Sequence, residues 1–221
     1  QHNQQRSAQS VVDERYEIRW QAGTAAPPAA DDDAAWILVG DPATLAPLAG
    51  LLTERSAEHR VIGLPVTDAD EEALEAQLHE AAEGKPLRIV LACAPDPAQG
   101  SESSTQSLSW VQRHVLVGAR RLFRATAAAG LRAPIWVVTQ GAQRIADTDM
   151  VSPEQTCLWG FGRAAALELP QVWGGLADLS DRSAAQWSQF VDQVLAPPKD
   201  AAVREDQFAL RDGARTALPR W

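Results

Sequence analysis

PIWVVTQGAQRIADTDMVSPEQTCLWGFGRAAALELPQVWGGLADL, residues 134–179, is the stretch that decides the fold. It opens on PIWVVTQ (134–140), a short apolar run that reads as a strand. Gly141 closes the run. Ser152 and Pro153 then offer a cap and a first-turn residue for a helix over PEQTCLWGFGRAAALE (153–168). GGLADL (174–179) is a second apolar strand. A strand, a turn, a helix and a strand in this order form a βαβ unit, with parallel strands joined by a right-handed crossover.

Working outward, the alternation continues. AAWILVG (34–40), RVIGLPV (60–66) and LRIVLAC (87–93) read as strands. Residues 43–58 read as a helix, EEALEAQLHEAA reads as a helix capped by Asp68 or Asp70, and a long helix is expected from about 105 to 129, stopped by Gly130. AAQWSQFVDQVL (184–195) is helical by pattern, and EDQFALRDGARTALPRW (205–221) reads as a hairpin around Asp212-Gly213. Upstream, ERYEIRWQ (14–21) alternates Tyr16, Ile18 and Trp20 with charges, as a half-buried strand does. AGTAAPPAADDD (22–33) separates it as a linker, residues 1–13 read as a tail, and 94–104 as a Pro/Gly/Ser loop. The expected fold class is α/β: a truncated Rossmann-like parallel sheet flanked by helices, with a separate N-terminal β-strand and a C-terminal β-hairpin.

The net charge is −9 over 221 residues, with lysine only at positions 85 and 199. That balance argues against nucleic acid as a partner, because phosphate binding needs clustered cations. No apolar run is long enough to span a membrane, and QHNQQRSAQS lacks a signal core. Cys93 and Cys157 are too few for a disulfide framework or zinc site and read as core residues in a reducing compartment, so a cytoplasmic location is expected.

Pyrophosphate binding at the first strand–helix turn needs glycines for the tight turn and for close approach of the backbone. The turn here reads Gly40-Asp41-Pro42-Ala43-Thr44-Leu45. Pro42 removes a backbone N–H, Leu45 fills the third glycine position, and Asp41 brings negative charge to an anion site. A spacing with glycines four and six after the first also fails, at Thr44 and Ala46. Gly63, Leu64 and Pro65 offer no acid for a ribose hydroxyl. Short-chain reductases further need a Ser after the strand 134–139 and a Tyr and Lys on the next helix. Thr139 could imitate the Ser, but Gln155, Thr156, Cys157 and Trp159 stand in the region of the Tyr, and Arg163 is that helix's only cation. The sole tyrosine is Tyr16. His2, His59, His79 and His114 have no metal spacing, and His114, beside Val111, Val115 and Leu116, reads as partly covered. No G-x-S-x-G elbow occurs.

WVVTQGAQRI (136–145), PEQTCLWGFGRAAALELPQVWGGLADL (153–179) and EDQFALRDGARTALPRW (205–221) resemble the structural subdomain of modular polyketide synthase ketoreductases. SLSWVQRHVLVGARRLFRATAAAG (107–130) and ERYEIRWQ fit it as well. The resemblance implies that residues 34–221 are a truncated, non-catalytic Rossmann-like half. It also implies that strand 14–21 pairs with a catalytic half in the same polypeptide. NADPH is expected on that half, phosphopantetheine on an acyl carrier protein, and other polyketide synthase domains are expected partners. Catalytic, cofactor-binding and metal residues are then expected to be none within this chain. A spacer made from an inactive ketoreductase remnant, and a free-standing reductase with another cofactor mode, are the alternatives.

Overall fold

The computed structural model describes residues 19–23, 26–27, 32–93, 104–196, 205–211 and 213–218. The tail 1–13, most of the strand expected over 14–21, part of the linker and loop 94–103 lie outside the described residues.

Among the described residues eight strands form one sheet: β1 (Gln21–Gly23), β2 (Ala35–Gly40), β3 (His59–Ile62), β4 (Leu87–Ala92), β5 (Ile135–Gln140), β6 (Trp173–Leu179), β7 (Gln207–Arg211) and β8 (Ala214–Ala217). Their spatial order is β1-β8-β7-β6-β5-β4-β2-β3. Strands β2 to β7 are mutually parallel, while β8 turns back on β7 and β1 pairs antiparallel with β8. The helices are α1 (Pro42–Glu54), α2 (Asp68–Ala82), α3 (Thr105–Trp110), α4 (Val117–Ala128), α5 (Pro153–Glu168) and α6 (Ala184–Leu195). The α/β architecture and the C-terminal hairpin match the sequence reading.

Alternation along the strands divides the core into two layers. Ile37, Val39, Ile89, Leu91, Ile135 and Val137 face α2, α4 and α5. Trp36, Leu38, Val90, Trp136 and Val138 face α1 and α6, where Trp187 and Phe190 pack edge to face at 5.7 Å. Side chains pointing to both faces of every central strand explain why those strands are apolar throughout. Burying each large side chain contributes about 2–3 kcal/mol.

Several boundaries differ from expectation. Helix α1 ends at Glu54 rather than 58, because Ser56 takes a positive φ of 56° and turns the chain into β3. Strand β3 stops at Ile62, before Gly63-Leu64-Pro65. The cap of α2 is Thr67, not Asp68 or Asp70. Thr67 Oγ1 accepts from the Asp70 N–H, and Asp70 accepts from the Thr67 N–H at 2.8 Å, a reciprocal capping box. The expected long helix is interrupted by a π-helical segment, Val111–Leu116, where it packs against α5. Strand β1 begins at Gln21, so Ala22 and Gly23 belong to the sheet and not to a linker.

Candidate functional site

In a parallel sheet of this order, ligands bind outside the carboxyl ends of the strands, where the order reverses. That switch point lies between β2 and β4. Gly40 ends β2 with φ +140°, and a Cβ there would lie 2.0 Å from the Ala92 carbonyl oxygen of β4. The glycine therefore serves strand-to-strand approach. Asp41 caps α1, accepting from the Thr44 N–H at 2.9 Å and from the Thr44 hydroxyl at 2.7 Å. Its carboxylate stands at the helix terminus where a phosphate would bind. The Thr44 hydroxyl bond outweighs burial and, with the Thr44 and Ala43 N–H groups and the charge of Arg182, holds the Asp41 carboxyl below the usual range. Arg182 closes the crevice from above, with Nη1 3.4 Å from Thr44 Oγ1 and Nη2 3.4 Å from the Cys93 carbonyl.

The second half of the site surrounds the end of β5. Thr139 donates its hydroxyl proton to Asp178 Oδ1 at 2.7 Å and accepts from the Trp159 indole N–H at 2.8 Å. Both functions of that hydroxyl are engaged. Asp178, fully buried on β6, also accepts from the Ala142 N–H at 2.8 Å, the Gln143 N–H at 3.2 Å and Arg211 Nη2 at 2.6 Å. Arg211 reaches back from β7 to Asp149 at 3.2 Å and to the Gln143 carbonyl at 3.0 Å. The turn 141–149 is thus tied to two strands. Burial pushes the Asp149 carboxyl up, but the Ile145 and Ala146 N–H groups and Arg211 outweigh it and leave it below the usual range.

The remaining candidates take structural partners. Gln155 bridges β4 and β5, donating to the Cys93 carbonyl at 2.9 Å and accepting from the Gln140 N–H at 3.2 Å. Thr156 donates to the Ala142 carbonyl at 2.8 Å, and Cys157 is half-buried. Trp159 is buried between Trp20, edge-on at 5.7 Å, and the Arg163 guanidinium 5.7 Å from its ring centre. His114 is exposed rather than partly covered, stacked on Trp110 at 5.2 Å. His59 contacts the Ala57 carbonyl and His79 is exposed on α2, while His2 and Tyr16 lie outside the described residues. Among the described residues no cluster of three His, Cys, Asp or Glu could hold a metal ion, and no helix is long and apolar enough to cross a membrane. Sequence reasoning missed Asp178, Arg182 and Arg211. A carboxylate inside the otherwise apolar run GGLADL was the available signal for the first.

Residues 18–220 match the family described as polyketide synthase extender module SpnB, Rossmann fold domain. The chain belongs to that family. The Rossmann domain is 33% identical over 201 residues to pikromycin polyketide synthase component PikAIII of Streptomyces venezuelae, covering 90% of this chain and 11% of that protein. It is 31% identical over 211 residues to polyketide synthase GfsA of Streptomyces halstedii, covering 91% of this chain and 3% of that one. Among solved structures, a C2-type ketoreductase from a modular polyketide synthase superposes with TM-score 0.67 and 27% identity, over 91% of this chain and 42% of that one. The first ketoreductase of the tylosin polyketide synthase superposes with TM-score 0.61 and 26% identity, over 91% and 39%. The Rossmann domain therefore spans a small part of the synthases and less than half of the ketoreductases it matches. It is a short-chain-reductase-like ketoreductase subdomain of modular polyketide synthase type, as the sequence resemblance implied.

Proposed function

We propose that this Rossmann domain is the non-catalytic half of a polyketide synthase ketoreductase. In this reading it docks on a catalytic half of the same polypeptide and holds that half in shape for reduction of a β-ketoacyl chain carried on the phosphopantetheine arm of an acyl carrier protein. NADPH is bound by the catalytic half, and no catalytic, cofactor or metal residue is assigned to this chain. The observation that carries the reading is the Thr139 hydroxyl, whose proton and acceptor site are both engaged by Asp178 and Trp159. Trp159 cannot supply a proton as a phenol does. The Asp41 carboxylate on α1 supports the same reading, since it repels a pyrophosphate from that helix terminus.

Comparing the catalytic half of the same synthase with and without this chain tests the assignment. NADPH oxidation with a β-ketoacyl thioester is expected to rise when the two halves are joined or co-expressed. Equal turnover and equal thermal stability of the catalytic half alone would overturn it.

A further inference from the structure

Most shielded arginines among the described residues have carboxylate partners; Arg163 instead lies over the Trp159 ring and donates to Gln207 at 3.2 Å. Arg55, Arg88, Arg121, Arg211 and Arg215 have side chains no more than 18% exposed, and each has a carboxylate oxygen within 3.0 Å. Arg182 departs from this pattern. Its side chain is half-buried, its two hydrogen bonds are both 3.4 Å long, and both go to uncharged oxygens. Among the described residues no carboxylate forms an ion pair with it, and Asp41 acts on it only through space.

The same guanidinium lines a groove of about 260 Å³ at the carboxyl ends of β5 and β6, with Gln140, Ser180 and Met150 around it. Other polar groups on that wall are occupied. Gln155 donates to Cys93, and Ser152 caps α5 and contacts Glu154 at 3.2 Å. Gln140 is less engaged, with one bond of 3.4 Å from its amide to the Ser180 carbonyl, and the Ser180 hydroxyl has no partner among the described residues. Arginine does not shed its proton, so a guanidinium shielded from water and left without a close partner favours an anion. Its planar fork matches two oxygens at once.

We propose that this groove binds a small oxyanion, a carboxylate or phosphate group, on Arg182, with Gln140 and Ser180 as further donors. Asp41 neutralises part of the charge, so the affinity is weak. An extended dinucleotide is not the occupant, because Asp41 and Pro42 stand where its pyrophosphate would lie.

The test is a set of amide-resolved NMR titrations of the 221-residue chain with inorganic phosphate, acetate and NADPH at constant ionic strength. Saturable shifts at Gly141, Ser180 and Arg182 are expected with phosphate or acetate, and the stronger of the two identifies the oxyanion class. They should vanish in Arg182→Gln and weaken severalfold in Arg182→Lys, which keeps the charge without the fork. The Lys variant alone decides the matter if the Gln variant does not fold. No saturable shift below about 50 mM, or the same shifts in both variants, would overturn the proposal. So would NADPH binding that shifts Gly40–Thr44, an outcome that also contradicts the non-catalytic reading; failure with phosphate and acetate alone leaves that reading intact.

Discussion

Trp159 donates its indole N–H to Thr139 Oγ1 across 2.8 Å, joining α5 to the end of β5 at the centre of the site. Trp159→Phe removes the donor and keeps most of the ring, and should cost about 1 kcal/mol in a urea melt. Thr139→Val strands the indole N–H and leaves Asp178 Oδ1 with the Ala142 N–H alone, and should cost about 2 kcal/mol. Equal midpoints for wild type and Thr139→Val would mean that the hydroxyl holds nothing together.

Asp178 is fully buried and ion-paired to Arg211 at 2.6 Å. Removing one partner of such a pair leaves a charge without compensation, so Asp178→Asn should lose about 3 kcal/mol. The double variant Asp178→Asn/Arg211→Met should recover part of that loss, and a denaturant double-mutant cycle reads the coupling. Additive losses would exclude it.

Two glycines should respond in opposite directions to alanine. Gly40 has φ +140° and faces backbone 2.0 Å from its would-be Cβ, so Gly40→Ala should cost at least about 3 kcal/mol. Gly50 lies exposed within α1 with nothing within 4 Å, so Gly50→Ala should stabilise by about 0.5–1 kcal/mol. Melting temperatures of the two variants check both signs.

Acid should destabilise the domain in part through Asp149 and Asp41, whose carboxyls lie below their ordinary value of 3.8 when folded. A depressed folded pKa means that the unfolded chain binds protons first. The stabilisation is therefore complete above the ordinary value and disappears as pH falls through the folded one. Urea midpoints should be flat from these groups above about pH 5 and decline below it. Arg211→Met, which removes a partner of Asp149, should make that decline shallower.

Burial pushes the Cys93 thiol up to about 12, whereas Cys157 is half-buried on α5. A thiol-specific disulfide reagent at pH 8 should therefore titrate no more than one thiol in the native chain and both after denaturation. Two thiols reacting at native rates would show that the end of β4 opens.

The helices α5 and α6 were legible to the residue, the first because Ser152-Pro153 announces its start and the second from the pattern over 184–195. The π-helical segment was not legible, since nothing in VQRHVL distinguishes it from α-helix and its geometry arises where it packs on α5. The strand expected over 14–21 lies mostly outside the described residues, and β1 was not legible because Gln21-Ala22-Gly23 carries no period and is set by pairing with β8. The turn Gly40–Leu45 could be read as poor for pyrophosphate from residue types alone. The Asp178 network could not, because its members stand 20 to 68 positions apart and meet only through the sheet.

Arg211 lies on the hairpin, yet it bonds Asp149 and Gln143, 62 and 68 positions earlier. During synthesis the turn 141–149 therefore leaves the ribosome well before its last anchor exists. Asp178 emerges with no counter-charge until β7 has been made. The hairpin is a late latch: its guanidinium is the last of the anchors on this turn to be synthesised, and any chain truncated before it lacks that tie.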